Sequence, residues 1–141
     1  YKTSAVGAEV LLTEPIVWAG AKGGCAHLRE PLPVSLWEEG CAWRAGALEA
    51  LGREGRNYRI AYMSAHTAGQ RAAIMADLAV APLPRSFLGN DMVELCPKDG
   101  MPDIGTYNLA MVVAPDASAP VKAVADHIRA TFEVFRETGK F

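Results

Sequence analysis

Between residues 33 and 86 the chain repeats one unit: an apolar stretch, a short polar break, then small and apolar residues at helical spacing. Val34, Leu36 and Trp37 form the first apolar stretch and Glu38, Glu39 and Gly40 interrupt it. Residues 41–51 then place Trp43, Ala47, Leu48 and Leu51 three or four positions apart, the one-sided stripe of a helix laid on a sheet. The second unit predicts a strand over 58–63, a turn with capping residues over 64–67 and a small-residue helix over 68–76. A third strand, 78–83, closes the stretch at Pro82 and Pro84. Strands alternating with helices imply right-handed crossovers, so the pattern predicts an α/β fold in three layers, with a mostly parallel sheet flanked by helices. In such a sheet ligands sit at the carboxyl ends of the strands, here the loops 38–41 and 64–67.

The flanking sequence is less regular. Residues 1–9 are polar and read as a loose end, and Val10 to Leu12 with residues 15–19 read as a strand. Gly20, Gly23 and Gly24 make 20–30 a flexible connection in place of a helix or central strand. Its glycines lack the spacing of a phosphate-cradling loop. Beyond Ser86 the pattern predicts a short strand at 92–95, a proline-glycine loop at 97–105 and a strand at 108–114. Ser118 then caps a last helix with Pro120 in its first turn, where a missing N–H costs little. Val121, Val124, Ala125, Ile128, Phe132 and Phe135 form an apolar stripe along that helix, the mark of an element that docks on a core.

The order of these residues resembles a known family. Pro31, Leu32 and Pro33 lead into a strand, Cys41 and Arg44 open a helix that continues through Ala47 to Gly52, and Tyr62 to Ser64 precede an alanine-rich helix. A strand of the form Leu-x-Val-x-x-Leu-Pro follows (Leu78 to Pro84), then Gly100, Met101 and Pro102, an apolar strand and a long C-terminal helix. This collinear series is similar to the effector-binding domain of LysR-type transcriptional regulators, chiefly its second half. The family often has glycines where this chain has Asp77 and Ala79. The resemblance implies a fold like that of type 2 periplasmic binding proteins with much of the first subdomain absent. On that reading residues 1–20 are a remnant of the first subdomain with the first crossover strand, 21–114 the second subdomain, and 115–141 a helix returning toward the first. It also implies a small-molecule effector held in a cleft between subdomains, DNA contact only through an N-terminal domain outside this chain, and a homo-oligomer in the intact protein.

Composition narrows the function classes. The 141 residues are 50% hydrophobic with a net charge of −2, so the chain carries no basic footprint for nucleic acid, and no specific DNA binding by this chain alone is expected. No apolar run approaches the roughly 20 residues of a membrane span and no signal pattern opens the chain, which reads as cytoplasmic. Cys25, Cys41 and Cys96 are odd in number and widely spaced, so free thiols are expected, and Cys25 with His27 is only half of a metal site. No metal or cofactor is expected.

The candidate ligand-binding residues are Glu38, Glu39, Gly40 and Cys41 on the first loop, Ser64, Ala65, His66 and Thr67 on the second, and Pro84 at the end of the third strand. Ser64 and Thr67 are equally suited to capping the next helix, and a helix start both accepts such a cap and attracts anions. His66 suits a solvated loop position or a switch. Cys41 at a helix start is either a small packing residue or a nucleophile with His66 as base, but the chain offers no third orienting group. The expected function is therefore effector binding without catalysis. A solute-binding half of a transport system and a small Cys/His enzyme are the alternatives.

Overall fold

A computed structural model describes residues 7–139. In chain order the elements are β1 (Glu9–Ala21), β2 (Leu32–Leu36), α1 (Ala42–Arg53), β3 (Tyr58–Met63), α2 (Thr67–Met75), β4 (Ala81–Pro84), β5 (Met92–Leu95), β6 (Gly105–Met111) and α3 (Ala119–Thr138), with three-residue 3₁₀ turns between some of them. The chain divides into two compact units, one of Pro15–Thr106 and one made from the segments up to Glu14 and from Tyr107 onward.

The larger unit is built on one sheet. β2 and β3 pair in parallel, and β4 and β5 flank β1, each antiparallel to it. A parallel bridge between Val34 and Val80 joins the two ladders, with Ser35 N–H donating to Val80 O at 2.8 Å and Val80 N–H to Pro33 O at 3.0 Å. The strand order is therefore β3-β2-β4-β1-β5, with four strands in one direction and β1 against them. The period of two in the strands sorts side chains to opposite faces. Trp18, Val34, Leu36, Val80 and Leu95 form one core with Ala47 and Leu51 of α1, and Ala19, Ala81, Leu83 and Met92 form the other with Ile74 of α2. Leu51 and Ile74 are fully buried, each contributing about 1.5–3 kcal/mol. The three layers expected from the alternation are thus present.

Local differences from the sequence pattern have identifiable causes. β1 runs unbroken through Thr13, Glu14 and Pro15, and it includes Glu9, which the polar pattern assigned to a loose end; residues 1–6 of that end lie outside the described residues. Gly20 is no flexible link. It belongs to β1, paired with Val93, and a Cβ there would lie 3.0 Å from Leu95 Cδ1, so its glycine lets Leu95 pack over the strand. The expected flexible connection also holds a 3₁₀ turn, Ala26–Leu28, fixed by Asp77. The Asp77 carboxylate accepts N–H bonds from Cys25 and Ala26 at 3.0–3.1 Å, and these, the Cys25 amide first, hold its pKa below the usual value. Asp77 itself has φ +52°, a left-handed geometry that Asp tolerates better than most residues. This is how the chain turns from α2 into the third strand without the glycine that is frequent there in the resembling family. Leu78 is exposed and β4 proper starts at Ala81, because the turn occupies the first positions of the predicted strand. The last strand begins at Gly105, earlier than the predicted 108, and ends at Met111.

In the smaller unit, β6 pairs with β1. Tyr107 Oη donates to Glu14 Oε1 at 2.6 Å, and burial together with that carboxylate raises the phenol pKa. Thr13 Oγ1 donates to Asn108 Oδ1 at 2.7 Å, and Arg129 of α3 pairs with Glu9 and Asp126. Along α3 only Ala125 of the predicted stripe is buried, while Val121 and Val124 are exposed.

Candidate functional site

β2, β3 and β4 end at one edge of the larger unit, and the connections that follow β2 and β3 are tied to each other. Ser64 N–H donates to Leu36 O at 3.0 Å, joining the first residue after β3 to the last of β2. Trp37 Nε1–H donates to Pro82 O at 3.0 Å, fixing the residue after β2 to β4. Arg44 in the first turn of α1 donates to Trp37 O at 3.0 Å and lies 3.5 Å from Met63 Sδ. The loops 38–41 and 64–67 therefore meet at the carboxyl ends of parallel strands, as their positions in the repeat require.

Gln70 of α2 locks this junction. It is fully buried; its Oε1 accepts from Ser35 Oγ, and its Nε2 donates to Leu36 O at 2.8 Å and Ser64 O at 2.9 Å. Both amide hydrogens are used, as a buried amide demands. The sequence carried a signal for it: Gln70 shares a helix stripe with Ala73 and Ile74, so a polar side chain stood on the core face. Gly69 is a second missed determinant. A Cβ on it would lie 2.4 Å from Ser64 Oγ and 2.7 Å from Ser64 Cβ, so the second loop lies against α2 only because residue 69 lacks a side chain.

The predicted site residues take distinct places. Glu38, Glu39 and Gly40 are exposed, and Gly40 has φ +88°, which favours glycine at that bend. Cys41 is the N-cap residue of α1 without a side-chain cap bond, and it packs against the core cluster containing Trp37. There the thiol fills space as a small apolar side chain does. Ser64 does not cap α2. Its Oγ accepts from His66 N–H at 3.1 Å, closing a turn just before the helix, because His66 holds the N-cap position. Ala65 and Thr67 are exposed, Thr67 being the first residue of α2. Pro84 is buried at the end of β4, opposite Ile16.

Beside these loops stands an aromatic cluster that the sequence reading did not single out. Trp37 and Trp43 meet edge to face with centroids 5.0 Å apart, and Trp43 meets Phe87, just after β4, at 5.9 Å. Both α1 and α2 start at this edge with no side-chain cap bond and no acidic residue in the first turn. The positive dipole ends of both helices thus lie at this edge, where they favour a polar or anionic group. Among the described residues no group of three or more His, Cys, Asp or Glu is placed to hold a metal ion, and no helix is long and apolar enough to cross a membrane.

Comparison with known proteins agrees with this architecture. The family model for the LysR substrate binding domain matches residues 2–133. The chain is 29% identical over 126 residues to the HTH-type transcriptional regulator DgdR of Burkholderia cepacia, covering 86% of this chain and 42% of that protein. The fold is similar to the apo regulatory domain of HypT from Salmonella typhimurium, with a TM-score of 0.72 at 11% identity over 95% of this chain and 70% of that one. It is also similar to the regulatory domain of CcmR from Synechocystis PCC6803 in complex with 2-PG, with a TM-score of 0.62 at 15% identity over 89% of this chain and 66% of that one. The chain thus spans less than half the length of DgdR.

Proposed function

We propose, from the premise that this chain belongs to the LysR substrate binding domain family, that its larger unit supplies one wall of a regulator's effector cleft and holds a small anionic or polar metabolite there. The family consists of the sensing domains of transcriptional regulators and is not an enzyme family. The observation that carries the reading is the pair of helix starts, α1 and α2, which open at one sheet edge with neither a side-chain cap nor an acidic residue in the first turn. Two adjacent helix N-termini favour a carboxylate or another acceptor-rich group. Ser64 and Thr67 add hydroxyls at the second start, and Trp37, Trp43 and Phe87 offer an apolar flank for the rest of the molecule. Glu38 and Glu39 are exposed and sit before the first start, where they face solvent in preference to an anion.

On this reading the facing wall belongs to the first subdomain of the intact regulator, and residues 1–20 and 115–141 are the parts of this chain that connect to it. The intact protein is a cytoplasmic homo-oligomer that contacts DNA through an N-terminal domain. The effector acts by binding one arrangement of the assembly more tightly than another. Ser64→Ala and Thr67→Ala in the intact regulator should each weaken effector binding by about 1 kcal/mol, the net worth of one neutral hydrogen bond. Ligand titrations unchanged in both variants, with folding intact, would remove these hydroxyls from the site.

A further inference from the structure

The larger unit also contains two adjoining cavities whose walls share Pro97, Pro102 and Asp103. Their volumes are about 340 Å³ and about 150 Å³. Neither is lined by the loops 38–41 and 64–67: the larger one is bounded by Arg53, Glu54 and Arg56, at and just past the end of α1 opposite to Cys41, about 18 Å along the helix.

Two side chains on these walls have buried nitrogen donors without an acceptor. Trp18 lines the smaller cavity, is only 1% exposed, and its Nε1–H has no hydrogen-bond partner. Arg56 lines the larger one; its terminal nitrogens donate to Gly100 O and His27 O, while its Nε–H stands 3.6 Å from Glu30 with no hydrogen bond. A buried orphan N–H is rare and carries its full desolvation cost, so an acceptor brought in from the neighbouring cavity is favoured, and it reaches either nitrogen once a side chain of the wall shifts to uncover it. Of the carboxylates on these walls two are engaged, and the third, Glu54 on the larger wall, is exposed just past the end of α1. Asp103 accepts from Gly105 N–H, and Glu94 on the smaller wall is held by Arg85. Arg53 spends one nitrogen on Asp103 O and brings a second guanidinium to the larger cavity.

We propose that these cavities form one binding site for a small carboxylate, separate from the effector loops, with an oxygen of the ligand accepting from Trp18 Nε1–H and the guanidinium groups of Arg53 and Arg56 supplying the charge. The chemistry is that of charge-assisted bonds in a partly enclosed space, where Arg favours planar carboxylates.

The test is a titration of the protein, labelled with ¹⁵N in its tryptophans, with acetate and with succinate, following the indole N–H signals. Trp37→Phe and Trp43→Phe identify two of the signals by their loss, so Trp18 is assigned without being replaced. One of the two acids should move the Trp18 signal downfield in a saturable way while those of Trp37 and Trp43 stay still. Arg56→Met should weaken that response about tenfold, the scale of one charge-assisted hydrogen bond. A Trp18 signal that neither acid moves, as when water alone fills the cavity, would overturn the proposal, as would an equal response in Arg56→Met. Movement confined to Trp37 and Trp43 would also overturn it while leaving the effector-loop reading in place.

Discussion

Gln70→Leu is expected to destabilise the larger unit by about 2–5 kcal/mol, because it strips the partners from Ser35 Oγ and Ser64 O at once and each buried polar group left alone costs about 1–3 kcal/mol. Leu36 O keeps the Ser64 N–H bond, so the loss concentrates on those two groups. Leucine fills most of the same volume, which limits any cavity contribution. A companion variant separates hydrogen bonding from packing. Gln70→Glu keeps the shape but turns the oxygen of an ionised carboxylate toward two carbonyl oxygens. The folded state then disfavours the charged form, which raises the folded-state pKa above the unfolded value of about 4.3. The deficit should therefore be largest at neutral pH and shrink as pH falls toward that value. Denaturant titrations of both variants between acidic and neutral pH would show it, and a Gln70→Leu variant as stable as the parent would refute the network's role.

Gly69→Ala should reverse the usual sign of a helix substitution. Alanine is favoured over glycine by up to about 1 kcal/mol in a helix, yet here the new methyl would meet Ser64 Oγ at 2.4 Å and Ser64 Cβ at 2.7 Å. Rotating the hydroxyl away relieves only the first contact. The second requires the loop to move, at a cost of about 1–3 kcal/mol for overpacking, and it displaces the residues that precede α2. Outside its own helix and chain neighbours, Ser64 alone among the described residues comes within 4 Å of the added carbon. Ser64→Gly combined with Gly69→Ala should therefore recover the stability of Ser64→Gly alone, giving a strongly non-additive cycle. Effector affinity should fall in Gly69→Ala and should not return in the double variant, since the Ser64 hydroxyl is then absent. Additive stabilities would mean that the loop absorbs the methyl without moving.

Much of the fold was legible because the repeat is local. Strands β3 and β5 lie where period and turn residues put them, and α1 and α2 start within a residue of the predicted positions. β3 stands at the sheet edge with Tyr58, Ile60 and Tyr62 exposed, which a run of aromatic and apolar residues does not announce. What the pattern missed depends on partners far along the chain. Gln70 has meaning only beside Ser35 and Ser64, and Asp77 only beside the 3₁₀ turn that it caps some fifty residues earlier. Glu9 read as part of a polar end, yet β1 begins there and Arg129 of α3 holds its carboxylate. At the candidate site the two loops were legible as loops following parallel strands. The cluster of Trp37, Trp43 and Phe87 was not, because its members belong to three segments brought together by the sheet.

The most direct test of the effector wall is a backbone amide titration of the intact regulator with small organic acids chosen by their ability to raise its melting temperature. The bound acid should shift the amides of the first turns of α1 and α2, those of residues 42–44 and 67–69, together with the indole signals of Trp37 and Trp43. An acid that stabilises the regulator and leaves all of these unmoved would contradict the assignment of this edge as the wall of the cleft.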